Sequence, residues 1–272
     1  MTYGWAILII AIVLVALFSL GVFNSANFAP RAQPGSCEVL RNSVQTSLVG
    51  QCNGELPQYA AQFNGDQNSY INVGNSQQLN IVNSLTITAW VNAYSNSSAD
   101  IYEQSSCNAQ YELFIEGGYV KMRVTPNAGG SIDTGSDAPL PTNQWVFVAG
   151  TFNVTDVGIY TDGNFKGNAP VGDTLATNAG GYGYIGELTP GCTNYDLNGY
   201  LLNIQLYNTS LSTQQIQQLY QEGIGGAPIN LQNLVGWWPL NGNANDYSGN
   251  GNDGTPTNII YTSAWTSGYS AP

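Results

Sequence analysis

The stretch Leu85-Thr86-Ile87-Thr88-Ala89-Trp90-Val91 alternates with a period of two, so Leu85, Ile87, Ala89 and Val91 share one face of a strand while the threonines and Trp90 share the other. Both faces carry bulk, as in a strand covered on two sides. Further strand-like runs stand at Tyr111–Glu116, Tyr119–Val124, Trp145–Phe152, Val157–Tyr160, Tyr182–Ile185 and Gly199–Tyr207, separated by clusters of Gly, Asn, Asp and Pro. Such short intervals suit antiparallel pairing rather than βαβ units. Asp162-Gly163 is a hairpin signal, because Gly tolerates the positive φ of a type I′ turn, and it joins Val157–Thr161 to Asn164–Lys166. The pattern predicts an all-β, two-sheet antiparallel sandwich.

One short helix interrupts the strands. Ser212 can cap it, Gln215 completes a capping box, Leu211 and Ile216 take the hydrophobic-staple positions, and Gly223 suits the stop. Ile216, Leu219 and Tyr220 then share a face that can pack on a sheet.

The N-terminus follows a different rule. From Trp5 through Phe23 there is no charged residue, and about twenty apolar residues are what a helix needs to cross a bilayer. Tyr3 and Trp5 suit the interfacial belt, and no small-residue cleavage site marks a removable signal. Residues 1–24 are therefore expected to be a transmembrane helix, 25–58 a linker and neck containing Pro30 and Pro34, and 59–272 one β domain.

Charge narrows the partners. Only 8% of residues are charged, with five Lys plus Arg against seventeen Asp plus Glu and no His, a net charge of −12. Nucleic acid is excluded as a partner by repulsion from phosphate. A surface carried by Asn, Gln, Ser, Thr and Tyr changes little as pH falls, which suits an acidic extracellular habitat, and equally suits a surface that simply resists charge-mediated association.

Cys37, Cys52, Cys107 and Cys192 are an even number in a chain that a membrane helix can place outside the cell, and they read as disulfides. Three pairings are possible; the preferred one joins Cys37 to Cys52 across a short loop and Cys107 to Cys192 between loops of the β domain. Neither C-x₂-C spacing nor any His supports a zinc site.

Several segments together carry a family resemblance: SLTITAWV at 84–91, LPTNQWVFVAGTFN at 140–153, VGIYTDGNFKG at 157–167, YIGE at 184–187 and LNGYLLNIQLYNTSLSTQQIQQLYQEG at 197–223. Over residues 59–261 the chain resembles the laminin-G-like, concanavalin A-like jelly rolls. In that family a strand like WWPLNGNANDYSGNGNDGT normally precedes FNG and YINV, whereas here it follows them, at 237–255. The resemblance thus implies a circularly permuted domain, or one completed by a neighbouring molecule. The first twenty-four residues, MTYGWAILIIAIVLVALFSLGVFN, resemble the hydrophobic helix of archaeal type IV pilin-like proteins, without the processing stretch that usually stands before it.

Jelly-roll glucanases hydrolyse glycosides with paired carboxylates, often as Glu-x-Asp-x-Glu, and no such triplet occurs here. Glu112 and Glu116 share a strand face but stand about 13 Å apart along it. An enzyme is not expected. Asp246, Asn250 and Asp253, with Asn243, Asn245 and Asn252, crowd one Gly-rich loop, where hard oxygens on a flexible backbone could hold Ca²⁺. The same residues also build turns, in which Asp246 would cap local N–H groups. Trp237, Trp238, Trp265 and the tyrosines offer faces for sugar rings, although alternation makes at least one of Trp237 and Trp238 a core residue. The sequons at Asn96, Asn153 and Asn208 mark N-glycosylation if the domain is exported.

The expected function is a membrane-anchored archaeal surface binder, an adhesin or lectin-like module with a glycan or cell-surface ligand. Its rival is a pilin-like filament subunit, a homo-oligomer assembled through the helix with the jelly roll displayed on the shaft.

Overall fold

The computed structural model describes residues 57–105, 110–177, 180–187, 192 and 195–263, together with the backbone of two strands, β1 (Cys37–Arg41) and β2 (Thr46–Gly50), which pair antiparallel. By contacts the chain divides into Met1–Arg31 and Ala32–Pro272. The first unit, with the expected membrane segment, lies outside the described residues, among which no helix is long and apolar enough to cross a membrane.

The remaining strands are β3 (Tyr59–Asn64), β4 (Tyr70–Gly74), β5 (Ser84–Ala93), β6 (Ala99–Ser105), β7 (Tyr111–Glu116), β8 (Tyr119–Val124), β9 (Ile132–Gly135), β10 (Val146–Asn153), β11 (Asp156–Thr161), β12 (Asn164–Pro170), β13 (Tyr182–Ile185), β14 (Asn198–Tyr207), β15 (Leu234–Trp238), β16 (Thr255–Thr257) and β17 (Ile260–Ser263). They form two antiparallel sheets. The first has the order β12-β11-β10-β5-β14-β3-β17, with β15 also on β14; the second is β16-β4-β13-β6-β7-β8-β9.

Alternation in β5 places its two faces as the sequence predicts. Leu85, Ile87, Ala89 and Val91 are buried in the core. Trp90 is buried on the opposite face, stacked on Tyr220 at 5.8 Å and edge-on to Phe147 at 5.5 Å. Tyr220 belongs to α1 (Thr213–Glu222), the one α-helix among the described residues, whose capping box is complete: Ser212 Oγ accepts from Gln215 N at 3.3 Å, and Ser212 N donates to Gln215 Oε1 at 2.9 Å. Its Ile216 and Leu219 are buried.

The chain's end closes both sheets beside their first strands. β14 shares one edge between two partners: its first half pairs with β3, its second with β15. Between the halves, Asn203 bulges out at φ 50°; its Nδ2 donates to Gly226 O at 2.8 Å and its Oδ1 accepts from Trp237 Nε1 at 2.8 Å. β16 then adds to β4 and β17 to β3. Trp237 and Trp238 are both buried, one more than alternation alone requires. Trp238 stacks on Tyr102 of the opposite sheet at 5.8 Å, and a side chain at Gly236 would collide with its ring.

Candidate functional site

Pairing in the second sheet builds a row of polar side chains that no single segment reveals. Tyr184, Glu103, Glu112, Arg123 and Asp133 are successive lateral partners across β13, β6, β7, β8 and β9. Direct partners have Cβ atoms about 4.5–5.5 Å apart, so Glu103 and Glu112 face each other. Glu112 forms an ion pair with Arg123 Nη1. Arg123 also reaches Asp133 Oδ2 at 3.3 Å, and its guanidinium lies 4.3 Å from the Phe114 ring centre.

One step along the same face, Asp100 stands opposite Phe114. The Asp100 N–H donates to the Tyr195 carbonyl at 2.9 Å, while the Tyr195 hydroxyl donates to Glu116 Oε1 at 2.7 Å. Glu116 also takes Lys121 at 2.7 Å, and these bonds hold its carboxyl below the usual range. Glu187 follows β13 on this side, where Gly186 N donates to Ile101 O.

Burial decides what this row can do. Asp100 and Glu103 are 0% exposed, Glu112 2% and Glu187 3%. Both carboxyl oxygens of Asp100 lack a hydrogen-bond partner, and burial, reinforced by Glu112 and Glu103, raises its pKa well above the carboxylate range. Burial pushes Glu112 up to about 7 against the pull of Arg123, and pushes Glu187 up to about 8 with help from Asp196. Two carboxyls facing each other approach the spacing of a retaining glycosidase pair. Glu112 and Glu116 along one strand do not reveal Glu103 across the hairpin, because Glu103 stands in β6, a segment without a strand-like alternation. Yet such a pair must touch its sugar, and this one is enclosed, with Glu112 held by Arg123.

The accessible part lies beside the row. Tyr182 is 44% exposed, and the rings of Tyr182, Tyr184 and Tyr70 follow one another at 6.4 Å and 5.7 Å. At the sheet's end, side chains of the β4–β5 connection, Gln104 and the glycines before β13 enclose a cleft of about 290 Å³.

A family model of the concanavalin A-like lectin/glucanases superfamily matches residues 64–217, a span from the end of β3 into α1. The chain belongs to this superfamily. A solved protein of Bacteroides ovatus, described provisionally as carbohydrate-binding, superposes with a TM-score of 0.61 at 18% identity, covering 85% of this chain and 70% of that one. The binding domain of Paraclostridial Mosquitocidal Protein 1 gives 0.50 at 15% identity over 70% of this chain and 46% of that one. A heptameric pentraxin of Limulus polyphemus gives 0.49 at 19% identity, over 60% and 82%. At such identities these likenesses show the fold alone. A comparison with curated proteins finds no match.

In this concanavalin A-like domain the Asn/Asp/Gly loop is a hydrogen-bonded turn. Asp246 Oδ1 accepts from Trp237 N at 3.0 Å and Ser248 N at 2.8 Å; Oδ2 accepts from Asn252 N and Ser248 Oγ, both at 2.9 Å. Asn250 acts as a donor, its Nδ2 reaching Leu234 O and Val235 O at 2.9 Å. Asp253 Oδ1 accepts from Asp246 N at 2.8 Å. The loop thus pins β15, as the turn-building reading of Asp246 expects. Among the described residues, no group of three or more Cys, Asp or Glu could hold a metal ion.

The three sequon asparagines are exposed. Asn153 Oδ1 accepts from Thr155 N at 3.0 Å and Asp156 N at 2.9 Å, and Asn208 Oδ1 accepts from Asn233 Nδ2 at 3.0 Å. None of these bonds uses the amide nitrogen to which a glycan attaches. Cys192 is disulfide-bonded. The side chains of Cys37, Cys52 and Cys107, like Trp265, lie outside the described residues.

Proposed function

We propose that the chain is a lectin-like binding protein of a cell surface, held by its N-terminal helix and presenting the concanavalin A-like domain outside the membrane. The observation that carries binding over hydrolysis is the enclosure of Glu103 and Glu112, while Tyr182 and a polar cleft remain open. The superfamily and the Bacteroides ovatus fold neighbour support a carbohydrate ligand. The anchor, the archaeal pilin-like origin and the pairing of Cys37 with Cys52 and of Cys107 with Cys192 rest on sequence; the disulfide at Cys192 supports an oxidising compartment. The placement of β15–β17 beside β3 and β4 supports reading the domain as a permuted member of its family.

The test is an array of immobilised glycans probed with the full chain, run beside a reducing-sugar assay on the same polysaccharides. Reproducible binding without sugar release is the expected result. Release of sugar makes the domain an enzyme; silence on every glycan, with filaments visible by electron microscopy, moves the chain to the pilin-like structural role.

A further inference from the structure

We propose that the cleft at the end of the second sheet is a subsite for one uncharged sugar residue, bound without a metal ion. The inference rests on the lectin-like reading above and adds to it a place and a ligand chemistry.

The lining sets that chemistry. Asn75, Ser76, Gln77, Asn80 and Gln104 supply only amides and a hydroxyl, and backbone at Gly180-Gly181 completes the wall. A carboxamide presents donors and an acceptor in one plane, which complements neighbouring hydroxyls that each donate and accept. A calcium ion would instead call for carboxylates, and the lining has none. The volume of about 290 Å³ stands at the small end of ligand sites, which begin near roughly 300 Å³, so it suits one ring rather than a length of polymer.

Charge separates neutral from acidic glycans. The basic side chains between residues 57 and 263 are Lys121, Arg123 and Lys166, and each is engaged: Lys121 with Glu116, Arg123 with Glu112 and Asp133, Lys166 with Asp137 at 3.3 Å. A sulfate or a uronate would find no unpaired cation there, in a chain of net charge −12.

The cleft is braced before any ligand arrives. Gln104 Nε2 donates to Gly181 O at 2.9 Å, and Gln110 Nε2 donates to Asn80 Oδ1 at 2.9 Å. Ser76 Oγ donates to Asn252 Oδ1 at 2.5 Å, tying the rim to the loop behind β15. Preformed polar groups on a rigid frame lose little entropy on binding. Gly180, at φ 96°, faces open space at the mouth. Tyr182, next after Gly181, adds an exposed ring of the kind on which sugars stack.

The full chain is tested against neutral oligosaccharides of glucose, galactose, mannose and N-acetylglucosamine, and against sulfated and sialylated glycans, in EDTA. Gln77→Trp fills the cleft from an exposed lining position; Gln78→Trp puts the same bulk on the same turn outside the lining. Asn75→Asp, nearly isosteric, sets a carboxylate in the lining and serves if the bulky variant fails to melt cooperatively. The expected result is neutral-glycan binding in EDTA, weakened about tenfold or more by Gln77→Trp and by Asn75→Asp, and unchanged by Gln78→Trp. Neutral binding that survives both lining variants overturns the subsite and leaves the lectin-like reading standing. Binding confined to acidic glycans, or abolished by EDTA, overturns the ligand chemistry, whereas silence on every glycan removes the lectin-like reading itself.

Discussion

Two polar clusters in this domain each contain an aspartate away from open solvent, and the two aspartates end in opposite states. Behind β15, Asp246 accepts four hydrogen bonds, three from backbone N–H groups and one from Ser248. On the second sheet, Asp100 has no partner for either carboxyl oxygen. The difference lies in where donors come from. A loop that turns back on itself brings unused N–H groups to an Asp or Asn side chain. In a sheet the N–H groups are already committed to the ladder, so a buried acid meets only other side chains. One cluster therefore satisfies its carboxylates and fastens a strand, while in the other burial raises the pKa of Asp100 and Glu112.

The strongest way to break the comparison is to remove the loop and the strands it fastens. Truncation after Ala227 deletes β15, β16 and β17, opens the edges of β14, β3 and β4, and removes two buried tryptophans, each worth about 3–5 kcal/mol. Cooperative urea unfolding should disappear. A truncated chain that still unfolds in one sharp transition would show that the end of the chain is not part of the folding unit.

Asp246→Ala isolates the loop. It strands the N–H groups of Trp237, Ser248 and Asn252 near a buried strand, at a combined cost of about 4 kcal/mol. Urea denaturation should show a lower midpoint with an unchanged slope, because the surface exposed on unfolding is the same. A loss below about 1 kcal/mol would mean that water replaces the carboxylate.

These contrasts also mark what sequence alone could resolve. β7, β8 and β13 have the bounds that alternation predicts, and α1 follows from Ser212, Gln215 and Gly223, because these signals are local. β6, β9, β16 and β17 escaped for different reasons. Ala99–Ser105 mixes acid, amide and apolar residues on both faces, and Thr255–Thr257 is a three-residue edge containing Pro256. The turn-building role of Asp246 was legible, since its donors lie within ten positions. The row through Glu103, Glu112 and Arg123 was not, because Ala99–Ser105 lacks the alternation that would set its register on β7. The cleft was hidden because its amides come from segments distant in sequence.

Acidity sharpens the other side of the comparison. An acid whose folded pKa is raised stabilises the fold below its unfolded value, near 4.3, and that stability is lost as pH rises through the folded value. With Glu112 at about 7 and Glu187 at about 8, the domain should be more stable at about pH 5 than at about pH 8. Glu112 alone accounts for on the order of 3 kcal/mol, roughly 6–12 °C in Tm. Calorimetry across that range checks the sign, and Glu187→Gln, which mimics the protonated acid, should flatten the alkaline limb. A Tm that climbs toward pH 8 would mean that these acids are ionised in the fold.

The smallest effect separates the two readings of the loop. Asp253 is exposed and accepts one bond, from Asp246 N, so Asp253→Ala should cost about 1 kcal/mol or less. If the loop is a turn, that cost is the same in Ca²⁺ and in EDTA, because both Asp246 oxygens already serve N–H and O–H donors and the Asn250 amide nitrogen faces the carbonyls of β15. If Asp246, Asn250 and Asp253 instead hold Ca²⁺, the metal stabilises only the folded chain by mass action, and the unmodified protein melts higher in Ca²⁺. The variant would then lose that gain. Thermal melts of both proteins in Ca²⁺ and EDTA should show parallel curves, and a Ca²⁺-dependent rise confined to the unmodified protein would turn the turn into a metal site.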